Sequence, residues 1–549
     1  MLRCPPAAFF VEGEGALRAS SWILLASAAL ATSPAAAVTG DTARIIDEGM
    51  NHSQVMLNAH ELFDDIGPRL TNSTNMRKAQ DWAVRKLTSY GLSNVHREAY
   101  DFGRGWDILH SSVRLVSPRP IDLVAIPVAW SPPTNGTLRA PVMIAPMNRV
   151  EQFAAYRGKL AGKIVLTSLP GTSDEPSEAA FKRLDSGDIS KLDEYKIPHI
   201  DPDAQNGFIK RVQFARELDA FLASEGAVAQ ATMAYRDGKL VSGEGYQNQV
   251  GGSPKLPTVQ IAAEDYRRLA RMAKMGDNPV LEIDSDVRYL DDDTHGYNII
   301  AEIPGTDPKA GYVMAGAHFD SWVAGDGAAD NGAGTVAVME AARILKAIGA
   351  RPKRTIRFAL WTGEEQGLFG SLNYVAQHLA HRPMAITENG ITNYIKWRDS
   401  YPVTPLPGYG DLKAYFNIDN GSGKLRGIYA EGNEAAEPML REWLSPFESM
   451  GAGAVVAGPT GGTDHEFFQS VAIPGFQFIQ DPLDYESRVH HSSIDTLDHL
   501  RADDLRQQSV VLAGVLLEAA NSDKELPRPP LPTQPQPTDP FKYDYPDPH

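Results

Sequence analysis

Three short apolar runs that each stop at residues able to ligate a metal constrain this chain more than any other feature. Gly311-Tyr-Val-Met-Ala-Gly-Ala317 reads as a buried strand and is followed at once by His318-Phe319-Asp320. Thr355-Ile-Arg-Phe-Ala-Leu-Trp361 is a second strand, ending at the Gly363-Glu364-Glu365 turn, and Leu412-Lys-Ala-Tyr-Phe-Asn-Ile418 is a third, ending on Asp419. Between the first two, Thr335–Leu345 has apolar residues at helical spacing and small ones where a helix lies close on a sheet. Strands alternating with helices predict an α/β fold with a mostly parallel central sheet flanked by helices, in which ligands bind beyond the carboxyl ends of the strands. Separate segments then converge on one crevice.

The residue types at those ends are His318, Asp320, Asp330, Glu364, Glu365 and Asp419, with His491 later in the chain. Zinc takes nitrogen and oxygen ligands from neutral His and ionised Asp or Glu, and a catalytic site keeps one position open for water. The set suffices for a two-metal hydrolase with one carboxylate left over as a base. Singly, each residue has a plainer reading: Asp330-Asn331-Gly332 is a turn, and Glu364-Glu365 suits the positive end of a helix. The joint pattern in chain order argues for a site.

His318-Phe-Asp320-Ser321, Gly327-Ala-Ala-Asp330-Asn331, Gly363-Glu364-Glu365-Gln-Gly-Leu-Phe-Gly-Ser371, Asn417-Ile-Asp419 and His491-Ser-Ser-Ile-Asp495-Thr496 resemble the signatures of the co-catalytic zinc exopeptidases. That family includes bacterial leucyl aminopeptidases, plasma glutamate carboxypeptidase and glutamate carboxypeptidase. Asn298–Gly305 resembles the strand that usually precedes the first metal loop. The resemblance implies two Zn2+ ions, with other divalent metals as alternatives. Asp330 would bridge them, His318 and Asp419 completing one site and Glu365 and His491 the other. Glu364 would be the general base, taking a proton from a metal-bridging water and returning it to the leaving amine. Asp320 is placed to orient the His318 imidazole.

The same frame selects His491 over its neighbour His490, which is left to touch the substrate or cap the loop. Asp495 is either an outer partner of the site or a helix N-cap. Asp464-His465 is expected to be a structural turn. Bacterial aminopeptidases of the family often carry a Tyr ahead of this turn to stabilise the tetrahedral intermediate. Here Pro459-Thr460-Gly461 stands there, so that helper is unassigned.

At 549 residues the chain is too long for one ordinary domain. Residues 1–37 read as a signal peptide, with the apolar run Ser21–Leu30 too short to span a bilayer and small residues at Ser33–Ala37. The only cysteine, Cys4, falls within it. Residues 38–117 and 287–525 are expected to form the catalytic domain. Residues 118–286, with short β runs among Pro and Gly, resemble the protease-associated domain this family inserts before the first metal loop. A plain β-rich insertion is the simpler reading. Residues 378–410, rich in Pro with Trp397 and Tyr409, suggest an excursion near the cleft mouth. Residues 526–549 form a Pro-rich tail, expected to be disordered or to lie along the surface.

The formal charge of −17 argues against a nucleic-acid partner, whose binding relies on basic patches. The expected partner is a peptide substrate, with no stable membrane insertion, and the expected location is exported, periplasmic or secreted. Within the family the expected activity is an aminopeptidase removing N-terminal residues, because Arg426, Arg441 and Arg488 stand apart and form no cluster for substrate carboxylates. The alternatives are a dipeptidase or carboxypeptidase of the same family, the mono-zinc glutaminyl cyclase, or a non-catalytic binding protein on the same fold. Retention of His318, Asp419 and Glu364 counts against the last two.

Overall fold

The three apolar runs lie side by side, parallel, in the middle of an eight-stranded sheet. Its spatial order is Ser93–Asp101, His295–Ile303, Thr355–Trp361, Tyr312–His318, Leu412–Asn417, Gly475–Gln480, Leu425–Tyr429 and Ala454–Val456. The central pairings are parallel, and antiparallel strands flank them. The computed structural model describes residues 40–173, 179–194, 202–383, 387–388, 391–392, 397–398 and 400–533.

Every residue of Tyr312–His318 is buried, as expected for a strand covered on both faces. Alternate side chains enter two cores. Val313, Ala315 and Ala317 face the helices Ala333–Ala347, Ala502–Asn521 and Thr74–Ser89. Tyr312 and Met314 join Trp361, Tyr415 and the helices Phe369–His378 and His465–Ser470 on the opposite side. The helix Ala333–Ala347 starts against the sheet because Gly334 has no side chain: a Cβ there would lie 2.5 Å from the Ile418 carbonyl oxygen. Gly334 lies just ahead of Thr335–Leu345, whose small residues Ala337, Ala341 and Ala342 are fully buried.

A second eight-stranded sheet is built wholly from residues 105–290. Gly105–Ser117 pairs antiparallel along its length with Val280–Leu290, and Ile164–Leu166, Ala229–Met233 and Thr258–Ile261 form a parallel run further across. The strand Gly105–Ser117 thus belongs to this second sheet, although the sequence assigns it to the first part of the catalytic domain. Its half-exposed burial gives no contrast in composition at its start, and its partner lies far along the chain. The chain leaves the central sheet after Asp101 and returns at His295, and these two residues are paired in register. Phe102 and Gly103 both donate their backbone N–H to the Thr294 carbonyl, closing the junction.

In the 378–410 excursion, Ala380–His381 pairs with Thr404–Pro405. Buried Arg382 donates to the backbone oxygens of Ser400 and Ser470, and Trp397 packs edge-on against Phe467 at 5.8 Å. At the start of the Pro-rich tail Leu526 is buried, Asn433 donates to the Pro527 carbonyl at 2.7 Å, and Arg528 donates to the Leu412 carbonyl. Residues 534–549 fall outside the described residues. So does the expected signal peptide. Among the described residues no helix is long and apolar enough to cross a membrane.

Candidate metal centre

Because neighbouring strands run parallel, their carboxyl ends deliver side chains to one edge. His318 is the last residue of its strand, and Asp330 follows in the turn before Ala333–Ala347. Glu364-Glu365 sits just past Trp361, and Asp419 lies two residues beyond Asn417. Gly363 makes the second of these turns possible. It has φ +73, and a Cβ on it would lie 2.8 Å from the Tyr100 hydroxyl. His491 arrives from the loop after Tyr485–Val489.

The Asp330 carboxylate stands at the middle of the cluster. Its Oδ1 is 3.2 Å from His318 Nε2, which in turn is 3.4 Å from Asp419 Oδ1. Its Oδ2 is 3.2 Å from His491 Nε2, which is 2.9 Å from Glu365 Oε2. One carboxylate therefore faces two imidazoles, one through each oxygen, and each imidazole has a further carboxylate beside it. His490 also approaches, with Nε2 3.6 Å from Asp330 Oδ2. His491 is distinguished by its second contact, to Glu365. Two compact sets of ligand atoms occur here, His318 with Asp330 and Glu365, and Asp330 with His490 and His491. Glu364 belongs to neither.

The supports are hydrogen bonds from buried groups. His318 Nδ1 meets the Asp320 backbone oxygen at 3.0 Å. The Asp320 carboxylate, expected to orient that ring, is 3.7 Å away from it. It accepts instead from Thr71 Oγ1 at 3.0 Å and from the amides of Glu364 and Glu365 at 3.2 and 3.3 Å, so it shapes the two-glutamate turn. Asp495 accepts from the amides of Ala329 and Asp330 at 2.6 and 3.0 Å and thereby fixes the Asp330 turn rather than capping its own segment. Buried Arg69 donates to the carbonyls of Phe319, Asp326 and Gly327.

The electrostatics show a cluster short of positive charge. Burial, with neighbouring carboxylates adding to it, holds Glu364 well above the usual carboxylate range. Burial likewise pushes Glu365 up to about 8, with Asp330 contributing in the same direction. Burial alone would lower His318, yet Asp419 and Glu364 hold it well above its ordinary value. Asp330 Oδ2 and Glu365 Oε1 are buried without a hydrogen bond of acceptable geometry. Leaving such an atom unsatisfied costs about 1–3 kcal/mol, and a divalent cation is the partner a carboxylate oxygen of this kind accepts. The donor set, its orphaned oxygens and its charge deficit fit a pair of divalent cations.

Asp464 and His465, expected as a turn, are fully buried. Asp464 accepts from Ser371 Oγ, and burial raises it to about 7. His465 Nε2 lies 3.3 Å from Glu431 Oε1. Both stay outside the ligand sets. No motif or spacing singles out Glu244, whose Oε1 is 3.2 Å from His491 Nδ1. Trp322, likewise unforeseen, lies edge-on to His491 at 6.2 Å.

Residues 298–516 match the profile of Peptidase family M28. The chain is 26% identical over 470 residues to carboxypeptidase Q of Mus musculus, covering 85% of this chain and 86% of that protein. In structure it is similar to a Peptidase M28 precursor from Shewanella amazonensis SB2B, with TM-score 0.62, 24% identity, and coverage of 90% and 98% of the two chains. It is also similar to BSAP, a zinc aminopeptidase from Bacillus subtilis, with TM-score 0.54, 20% identity, and coverage of 86% and 95%. With this site at the carboxyl edge of its parallel strands and a Peptidase family M28 match over residues 298–516, the chain is similar to the co-catalytic zinc exopeptidases and is a zinc-dependent peptidase.

Proposed function

We propose that the protein is an exported aminopeptidase in which Asp330 would be shared between two zinc ions, His318 and Asp419 would hold one, Glu365 and His491 would hold the other, and Glu364 is the general base. The observation that carries the assignment is the division of the Asp330 carboxylate, one oxygen toward each imidazole. Zinc held there would supply Lewis acidity toward a carbonyl oxygen and would lower the pKa of a water. The protein's own groups do the rest. Glu364 lies next to the ligands without joining them, so its carboxylate is left to take a proton and return it to the leaving nitrogen. Asp320 holds the backbone of both glutamates, so base and ligand are set relative to each other.

The three arginines considered as carboxylate anchors are engaged elsewhere. Arg426 pairs bidentately with Asp481, Arg488 with Asp484, and Arg441 with Glu437. That supports recognition of a free amine over a free carboxylate. One observation favours a second reading, a dipeptidase or carboxypeptidase. Arg236 lies 5.2 Å over the ring of Tyr235, whose hydroxyl reaches the His490 carbonyl at 3.5 Å, and its Nη1 is buried without a hydrogen bond. The relative named carboxypeptidase Q agrees with that reading.

A panel of aminoacyl chromogenic substrates beside N-blocked peptides, with and without chelator, separates the two. The aminopeptidase reading expects chelator-sensitive release from free N-termini and none from blocked peptides. Cleavage of blocked peptides from the C-terminal end, with a rise in KM in Arg236→Met, establishes the second. Export is checked by fractionating cells that express the full chain.

A further inference from the structure

The ligand cluster accounts for one ring nitrogen of His491 and leaves the other to a residue from the second sheet's region. His491 Nε2 faces Asp330 and Glu365, while Nδ1 faces Glu244 Oε1 at 3.2 Å. A neutral imidazole carries one proton, and an ionised carboxylate only accepts. With the proton on Nδ1 and shared with Glu244, Nε2 is left with its lone pair toward the metal side.

Glu244 sits on a firmly held segment. It lies in Ser242-Gly243-Glu244-Gly245-Tyr246, and both flanking glycines sit where no side chain fits. Gly243 has φ +70, and a Cβ would meet Val323 at 2.8 Å, while a Cβ on Gly245 would lie 2.3 Å from the Ala129 carbonyl oxygen. The segment is further pinned by the Ser242 and Gly243 amides donating to Gln260 Oε1 at 2.6 and 3.2 Å, and by Ala129 N–H donating to the Gly243 carbonyl at 2.8 Å. Tyr246 donates to Glu244 Oε2 at 3.4 Å, and the amide of Val241 donates to Ser493 in the histidine's own loop at 3.5 Å. Trp322 lies between, edge-on to Tyr246 at 5.5 Å and to His491 at 6.2 Å.

We propose that Glu244 is a positioning residue that fixes the tautomer and direction of His491, so that the inserted region completes one of the two metal sites. This rests on the reading of His491 as a ligand. An ordinary ion pair between side chains 24% and 23% exposed would contribute little. The difference is measurable as metal affinity at one site only.

The test is zinc titration of the metal-free full-length protein against a chromophoric chelator, for wild type, Glu244→Ala and Glu244→Gln, with the thermal midpoint of each metal-free protein. The expected result is two zinc ions bound by wild type, with one of them weakened about 10–100-fold in Glu244→Ala, as outer-partner losses typically do. The other zinc stays at wild-type affinity and the metal-free midpoint is unchanged. Glu244→Gln keeps an acceptor oxygen for Nδ1–H and binds closer to wild type than Glu244→Ala. Wild-type affinity at both sites in Glu244→Ala overturns the proposal, as does equal weakening of both with a fallen metal-free midpoint, which is a structural role. A wild-type protein that takes up no zinc refutes the metal reading itself, and the proposal with it.

Discussion

The two imidazoles of the cluster are held in different ways. His318 is 1% exposed, ends a strand buried on both faces, and has its Nδ1 fixed by a backbone oxygen two residues away. His491 is 23% exposed, sits on a loop with φ +51, and has its Nδ1 against a carboxylate from the other sheet's region. The first half of the site forms as the central sheet forms. The second needs a long-range docking, and its geometry is as secure as that contact. Stability varies across a structure in this way, with loop-borne elements at the low end.

The largest expected effect comes from removing what the halves share. Asp330→Ala takes one oxygen from each side, and elemental analysis of the purified protein should show zinc falling from two per chain to none, with no turnover above background. Retention of one firmly held ion would mean that the halves are independent. Next is Glu364→Gln, which leaves both halves intact: kcat should fall about 10²–10⁴-fold, the usual contribution of a proton-transfer group, while two zinc ions stay bound. Metal loss in this variant, with metal kept in Glu365→Gln, would exchange the roles of the adjacent glutamates.

The asymmetry itself is tested by stopped-flow chelation of the zinc-loaded protein. Release should occur in two phases, and Asp419→Asn should speed the slow phase while Glu365→Gln speeds the fast one. A single phase would erase the contrast between the halves. The smallest effect is expected at Gly363→Ala, which forces a left-handed backbone on a residue with a Cβ. The backbone strain alone costs about 1–2 kcal/mol and the Cβ contact with the Tyr100 hydroxyl adds to it, read as a lowered denaturation midpoint and a loss of activity, because the turn carries both glutamates.

The strands ending on His318, Glu364-Glu365 and Asp419 were legible because parallel strands covered on both faces must be apolar throughout, and the polar residue that ends each run stands out. The helix before the second strand was legible for a related reason, since the small residues Ala337, Ala341 and Ala342 within Thr335–Leu345 mark close packing. Less could be read where function depends on three-dimensional proximity. Glu244 has no periodic context, and only the folded chain brings it to His491. The use of Asp320 on the glutamate amides, while its backbone oxygen holds His318, depends on angstrom-scale placement that residue spacing does not encode. Gly105–Ser117 joins the second sheet because of a partner more than a hundred residues later, so no local cue marks that boundary.

The register pair Asp101 and His295 gives the second sheet a single doorway into the first. A module entered and left through one gap also docks along its length, Asp107 on Thr74 and Arg183 on Asp481 and Asp504, and the Glu244 contact is its clasp on His491. Replacing everything between the two door-posts with a tight reverse turn would leave the main ladder continuous, while stripping the clasp from the exposed histidine.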